Sequence, residues 1–171
     1  MSESNEASGD EVAVVQTNLG NITLRFFPDK APKHVAAFKK LARDGYYDGT
    51  KFHRVIPGFM IQGGDPNTKS DDRSSYGTGG PGYQLKAEFN DTPHTRGILS
   101  AARTSNPDSA GSQFFLMVAR APHLDNQYTV YGEVVDGLDV LDKILALPRD
   151  GRDCPKPGNE AVIEKVEIVV A

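Results

Sequence analysis

The chain has 171 residues, 38% apolar and 25% charged, with 19 basic against 23 acidic side chains and a formal charge of −4. That length is one domain, able to bury roughly 70% of its unfolded surface in a single core, and the composition excludes a disordered or fibrous chain. Mild acidity argues against phosphate-backbone binding as the main activity, and the lone Cys154 excludes an intrachain disulfide or a cysteine-built zinc site.

Residues 1–11 read as a flexible polar tail carrying acidic side chains, without the basic and apolar stretches of a signal peptide. No apolar run approaches the ~20 residues that span a bilayer. The expectation is a cytoplasmic protein that uses neither membrane nor nucleic acid, a monomer, with residues 12–171 as its single domain. Val12–Gln16 and Ile22–Phe27 read as strands joined by a turn at Asn18-Leu19-Gly20-Asn21. Pro32 opens a helix reaching about Arg43, its apolar stripe made by Val35, Phe38, Leu41 and Ala42 and its end marked by Gly45. His34, on the same helix, is expected at the surface. Lys51–Ile56 and Phe59–Gln62 are strands broken at Pro57-Gly58, and residues 63–84 form a Gly- and Ser-rich loop of functional or mobile character.

Further strands are expected at Gly97–Ala102, Gln113–Val118 and Thr129–Val134. A second helix over Leu138–Leu147 turns Leu138, Leu141, Ile144 and Leu145 inward and stops at Pro148. Ala161–Val170 closes the chain as a strand with Val162, Val166, Ile168 and Val170 on one face. Seventeen glycines and 11 prolines, above the ~12% average share, cut the chain into short segments. Strands dominate and the helices lie far apart, so the pattern predicts a closed antiparallel barrel with two helices over its open ends rather than βα repeats.

Several motifs are weaker than their letters. Gly77-Thr78-Gly79-Gly80-Pro81-Gly82 spells G-x-G-x-x-G, but a polar stretch precedes it and no helical period follows, so no phosphate cradle is expected. The histidines at 34, 53, 94 and 123 show no metal-ligand spacing, and Cys154 has no base beside it. Neither metal nor cofactor is expected. The segment from Phe52 to Asp65 stands apart. Arg54, Phe59, Met60 and Gln62 put a cation, two large apolar groups and an amide within nine residues, the makeup of a recognition pocket.

At this segment the chain resembles the cyclophilin family of peptidyl-prolyl cis-trans isomerases. The helix after Ala31-Pro32, the run Gly111-Ser112-Gln113-Phe114-Phe115, and His123-Leu124-Asp125 leading into Tyr131-Gly132-Glu133-Val134 agree in order and spacing. The resemblance covers residues 12–171. It implies an eight-stranded antiparallel barrel capped by two helices, with a shallow groove for proline-containing peptides in unfolded or native polypeptides. It implies catalysis by Arg54 with His53, Phe59 and Gln62, and substrate binding by Met60, Ala102, Arg103, Gln113, Phe115, His123, Leu124 and Tyr128. Within that set Phe59, Met60, Phe115 and Leu124 form the proline pocket, and Gln62 and Gln113 hold peptide backbone. Strict strand alternation would send Phe59 and Met60 to opposite faces, whereas the resemblance puts both in one pocket.

The sequence departs from the family at His123, where Trp is common, at Tyr128, where His is usual, and at Ala101-Ala102-Arg103-Thr104, a form resembling bacterial members. Loss of the indole donor lowers the expected cyclosporin affinity. The expected activity is rotation about X-Pro bonds in assistance of folding. The alternative is a proline-peptide binding or chaperone module with incidental turnover.

Overall fold

The computed structural model describes residues 11–170, so residues 1–10 of the expected tail lie outside the described residues. β1 (Glu11–Thr17) and β2 (Gly20–Phe26) pair as a hairpin with Val15 opposite Ile22. Along β2 the inward set Ile22, Leu24 and Phe26 alternates with outward Thr23 and Arg25, the pattern of a sheet buried on one face. Glu11, read as tail, begins the strand. It pairs with Val170, and its carboxylate accepts from Lys39 and Arg43.

α1 (Pro32–Arg43) buries Val35, Phe38, Leu41 and Ala42 as expected. It ends in a Schellman arrangement: Tyr46 N–H donates to the Leu41 carbonyl and Gly45 N–H to that of Ala42, with Gly45 at φ +74°. His34 corrects the sequence reading, because it is only 3% exposed. Its Nδ1 lies 2.6 Å from Glu88 Oε1, and the same carboxylate accepts the backbone N–H groups of Lys33 and His34. Glu88 therefore caps a helix whose own N-cap, Ala31, has no side chain to do so.

β3 (Arg54–Ile56), β4 (Met60–Gly63), β5 (Ile98–Ala101), β6 (Phe114–Met117), β7 (Val130–Asp136) and β8 (Ile163–Val170) complete an eight-stranded antiparallel sheet of order β3-β4-β6-β5-β7-β2-β1-β8. α1 packs against β7 and β8, and α2 (Leu138–Leu145) against β2 and β3. The sheet curls into a half-barrel and stays open, which corrects the closed barrel of the sequence reading. Its edges β3 and β8 do not pair along their length: the residues preceding them form one bridge, Lys51 with Val162, flanked by the bonds from Phe52 N–H to the Ala161 carbonyl and from Ile163 N–H to the Thr50 carbonyl. β3 is just three residues long before the Pro57-Gly58 turn, and its Val55 N–H donates to the Asp153 carbonyl of a loop, 2.7 Å, not to β8.

Two inward faces also differ from expectation. Leu138 is 38% exposed and Val140 joins Leu141 and Ile144 inside, because α2 starts from Gly137 in a left-handed conformation, φ +100°. In β8 the buried residues are Ile163 and Val166 while Val170 is 77% exposed. A register shift at Gln16/Thr17 changes the phase of the pleat there. Inside the half-barrel Phe38, Tyr47, Phe52 and Phe114 pack with centroids 5.0–6.1 Å apart. A second apolar cluster of Met60, Ile98, Phe115, Met117, Ala121, Leu124 and Val130 lies separate from that core.

Candidate active site

The pleat assembles the second cluster. On β4 and β6, Met60 opposes Met117 and Gln62 opposes Phe115, so these four side chains share one face while Ile61, Phe114 and Leu116 enter the main core. Phe59 precedes β4 and sits in the Pro57-Gly58 turn, its N–H donating to the Ile56 carbonyl. It is therefore free of the alternation rule, and Phe59 and Met60 both line one hollow. Leu124 enters from the 3-10 turn Pro122–Leu124, and Tyr128 meets Phe115 edge-on at 5.5 Å.

The resulting groove has a volume of about 330 Å³. Ten of the twelve sequence-derived site residues line it: His53, Arg54, Phe59, Met60, Gln62, Ala102, Arg103, Phe115, Leu124 and Tyr128. Gln113 lines an adjoining hollow that also touches Gln62, Ala102 and Arg103. His123 lines neither. It stacks on Phe59, centroids 5.8 Å apart and planes at 29°.

Arg54 opposes Gln62 across β3 and β4, with its Nη1 3.5 Å from Gln62 Oε1. Gln62 Nε2 donates to Gln113 Oε1 at 2.9 Å, and Gln113 Nε2 donates to the carbonyls of Gly77 and Gly79, each at 3.0 Å. The direction of this chain is dictated by its ends, since backbone carbonyls only accept and a guanidinium only donates. Among the described residues no carboxylate pairs with Arg54. Its charge is anchored but not neutralised, beside an apolar floor.

His53 is 8% exposed and its Nδ1 is buried without a partner among the described residues. Burial foremost lowers its pKa below the ordinary 6.5, Asp65 opposes that shift, and Arg54 adds to it. The ring is neutral at pH 7. Arg103 donates to the carbonyls of Gln127 and Thr104 and lies over the Tyr128 ring at 4.4 Å.

The second wall joins the Gly- and Ser-rich loop, expected to be functional or mobile, to a segment not read from the sequence. Arg73, Tyr76 and Gly77 from one loop and Asp150, Arg152 and Cys154 from another complete the groove. Arg73 Nη2 ties the loops by donating to Asp150 Oδ2 at 3.0 Å and to the Pro155 carbonyl at 2.8 Å. No local pattern marks residues 150–154, which lie nearly a hundred positions beyond Arg54. The Cys154 thiol is pushed up chiefly by burial, away from nucleophilic use. The G-x-G-x-x-G letters fall in a loop with no helix after them. Among the described residues no three His, Cys, Asp or Glu side chains converge to hold a metal ion.

The groove on the outer face of the half-barrel thus combines the Arg54 guanidinium with an apolar hollow lined by Phe59, Met60, Phe115 and Leu124. Residues 12–168 match the family model of cyclophilin-type peptidyl-prolyl cis-trans isomerases. A probable peptidyl-prolyl cis-trans isomerase of Brucella abortus is 48% identical over 143 residues, covering 81% of this chain and 73% of its own. One from Synechococcus elongatus is 48% identical over 139 residues, covering 81% and 89%. Among solved structures, a Cryptosporidium parvum cyclophilin-type isomerase, crystallised in the presence of the dipeptide Ala-Pro, superposes with a TM-score of 0.84. It is 32% identical, over 94% of this chain and 99% of that one. The chain belongs to the cyclophilin-type peptidyl-prolyl cis-trans isomerase family.

Proposed function

We propose that the groove catalyses rotation about X-Pro peptide bonds, with Arg54 as the group that stabilises the twisted amide. The reaction breaks no bond. Its barrier of ~18–20 kcal/mol comes from amide resonance. At the twisted geometry the prolyl nitrogen recovers a localised lone pair, and an N–H of Arg54 donates to it. Neither planar isomer offers that acceptor, so the interaction is specific to the transition state and lowers the barrier. A guanidinium is charged at every working pH and presents its donors in a rigid fork, so no proton transfer is needed.

Phe59, Met60, Phe115 and Leu124 grip the pyrrolidine ring in this reading and exclude water, which would favour the more polar planar amide. Gln62 and Gln113 hold peptide backbone while the prolyl bond turns. Each ~1.4 kcal/mol removed from the barrier gives tenfold in rate. The observation that carries the reading is Arg54 itself: uncompensated by any carboxylate among the described residues, tied to the Gln62 amide, and at the rim of the apolar hollow.

The test is proline-limited refolding of a client protein, followed with and without this protein and its Arg54→Ala variant. The wild type is expected to accelerate the slow phase and the variant to lose most of that effect. Saturable binding of prolyl peptides without acceleration would favour the binding-module alternative.

A further inference from the structure

Four arginines line the groove, Arg54, Arg73, Arg103 and Arg152, against a single carboxylate, Asp150. That carboxylate is already occupied. Its Oδ2 accepts from Arg73, and its Oδ1 accepts the backbone N–H groups of Arg152 and Cys154. Asp65, near His53, is fully buried and accepts backbone N–H groups of Asn67 and Gly77. Arg103 is oriented by two carbonyls, which fix it without cancelling its charge. The Arg152 side chain has no hydrogen-bond or ion-pair partner among the described residues.

The backbone of Arg152 is nevertheless held in place. The Asp150 carboxylate closes its turn, and the next residue, Asp153, accepts the N–H of Val55, the neighbour of Arg54 on β3. The loop carrying Arg152 is thus stitched to the strand carrying Arg54. Three uncompensated cations share one concavity on a chain whose formal charge is −4. Such local concentration attracts anions whatever the net charge of the molecule, and a guanidinium fork matches both carboxylate and phosphate.

We propose that the groove selects prolyl peptides bearing an anionic side chain, carboxylate or phosphate, next to the proline, and that Arg152 receives that anion. The inference rests on the isomerase reading of the same groove and adds its substrate class.

The test measures kcat/KM by NMR exchange on short peptides Ala-X-Pro-Y. X or Y is Ala, Glu or Lys, and one further series has X as phosphoserine. At low ionic strength the Glu peptides are expected to exceed the Ala peptides by roughly fivefold and the Lys peptides to fall below them. The differences should shrink by about 0.5 M salt, where screening is strong. Arg152→Gln should bring the Glu-to-Ala ratio toward one and Arg152→Glu should invert it, with thermal unfolding checking each variant's fold. A phosphoserine peptide faster than its Glu counterpart points to phosphorylated clients, and the reverse order to acidic ones. Rates within twofold for Glu, Ala and Lys, or a ratio unmoved by Arg152→Glu, overturn the selectivity and leave the isomerase reading standing. Failure to turn over any peptide of the series removes that reading, and this inference with it.

Discussion

The two faces of β4 and β6 carry apolar clusters that are equally buried and differently covered. On the inner face Ile61, Phe114 and Leu116 are closed in by the ring cluster of Phe38, Tyr47 and Phe52 and by the far wall of the sheet. On the outer face Met60, Phe115 and Met117 are scarcely more exposed, yet their cover is a 3-10 turn and the rings of Phe59 and Tyr128, and a hollow remains. Burial of the side chains therefore does not separate structure from function here. Completeness of the cover does. The sealed face supplies stability, and the incompletely roofed face is the one proposed to take the proline ring.

The largest test of that contrast is Phe114→Ala. Truncating a sealed ring is expected to destabilise the fold by about 3–5 kcal/mol, read from denaturant unfolding, with no specific effect on the rate per folded molecule. Arg54→Ala is the counterpart on the open face. It should lower kcat/KM about 100-fold, the scale for losing one charged donor at a transition state, while stability moves by no more than about 0.5 kcal/mol because the side chain is exposed. Arg54→Lys should recover only part of the loss, lacking the fork. If Phe114→Ala were mild and Arg54→Ala unfolded the protein, the division between faces would be wrong.

A smaller effect is expected at the rim. His123 already stacks on Phe59, and His123→Trp adds area and an indole donor there. We expect weak cyclosporin binding by the wild type, tightened about tenfold by His123→Trp in a calorimetric titration. Equal affinities would show that the rim position does not matter.

The smallest effect touches both faces through pH. Burial foremost holds His34, His53 and His94 below their ordinary pKa of 6.5, against the opposing pull of Glu88 on His34 and of Asp125 on His94. His34 packs beside Tyr131 of the main core, whereas His94 lies flat on Phe115, planes at 18°. The unfolded chain takes up protons near pH 6.5 that the native state refuses. Stability is thus full above that pH and is lost as pH falls through the lowered native values. Glu88 and Asp125, both held below their ordinary values, keep their own contribution until pH falls further, below about 4. Thermal unfolding should show a loss of about 1 kcal/mol, or ~3 °C, between pH 7 and pH 5.5. The isomerisation rate should stay level above pH 6.5, since Arg54 does not titrate there.

Local pattern was enough for the elements. The stripe Val35, Phe38, Leu41 and Ala42, the alternation of β2, and the turn at Pro57-Gly58 each depend on neighbours within a few residues, and all stand in the structure. The Arg54-to-Gln62 segment likewise compressed cation, apolar floor and amide into one hairpin, so that part of the groove was legible locally, while Ala102, Arg103, Phe115, Leu124 and Tyr128 came only through the family resemblance. What failed depended on contacts distant in sequence. His34 is buried by Glu88, 54 positions away, and the groove's second wall is tied by Arg73 to Asp150, 77 positions away. The open edge at β3 reflects a donor taken by Asp153, and the phase of β8 reflects an extra residue at Glu164 in its pairing with β1, a strand from the opposite end of the chain. Periodicity reports which way a side chain leaves its own element. Which loop lies across from it, and whether that loop closes or leaves a gap, is decided by the packing of elements that no local window contains.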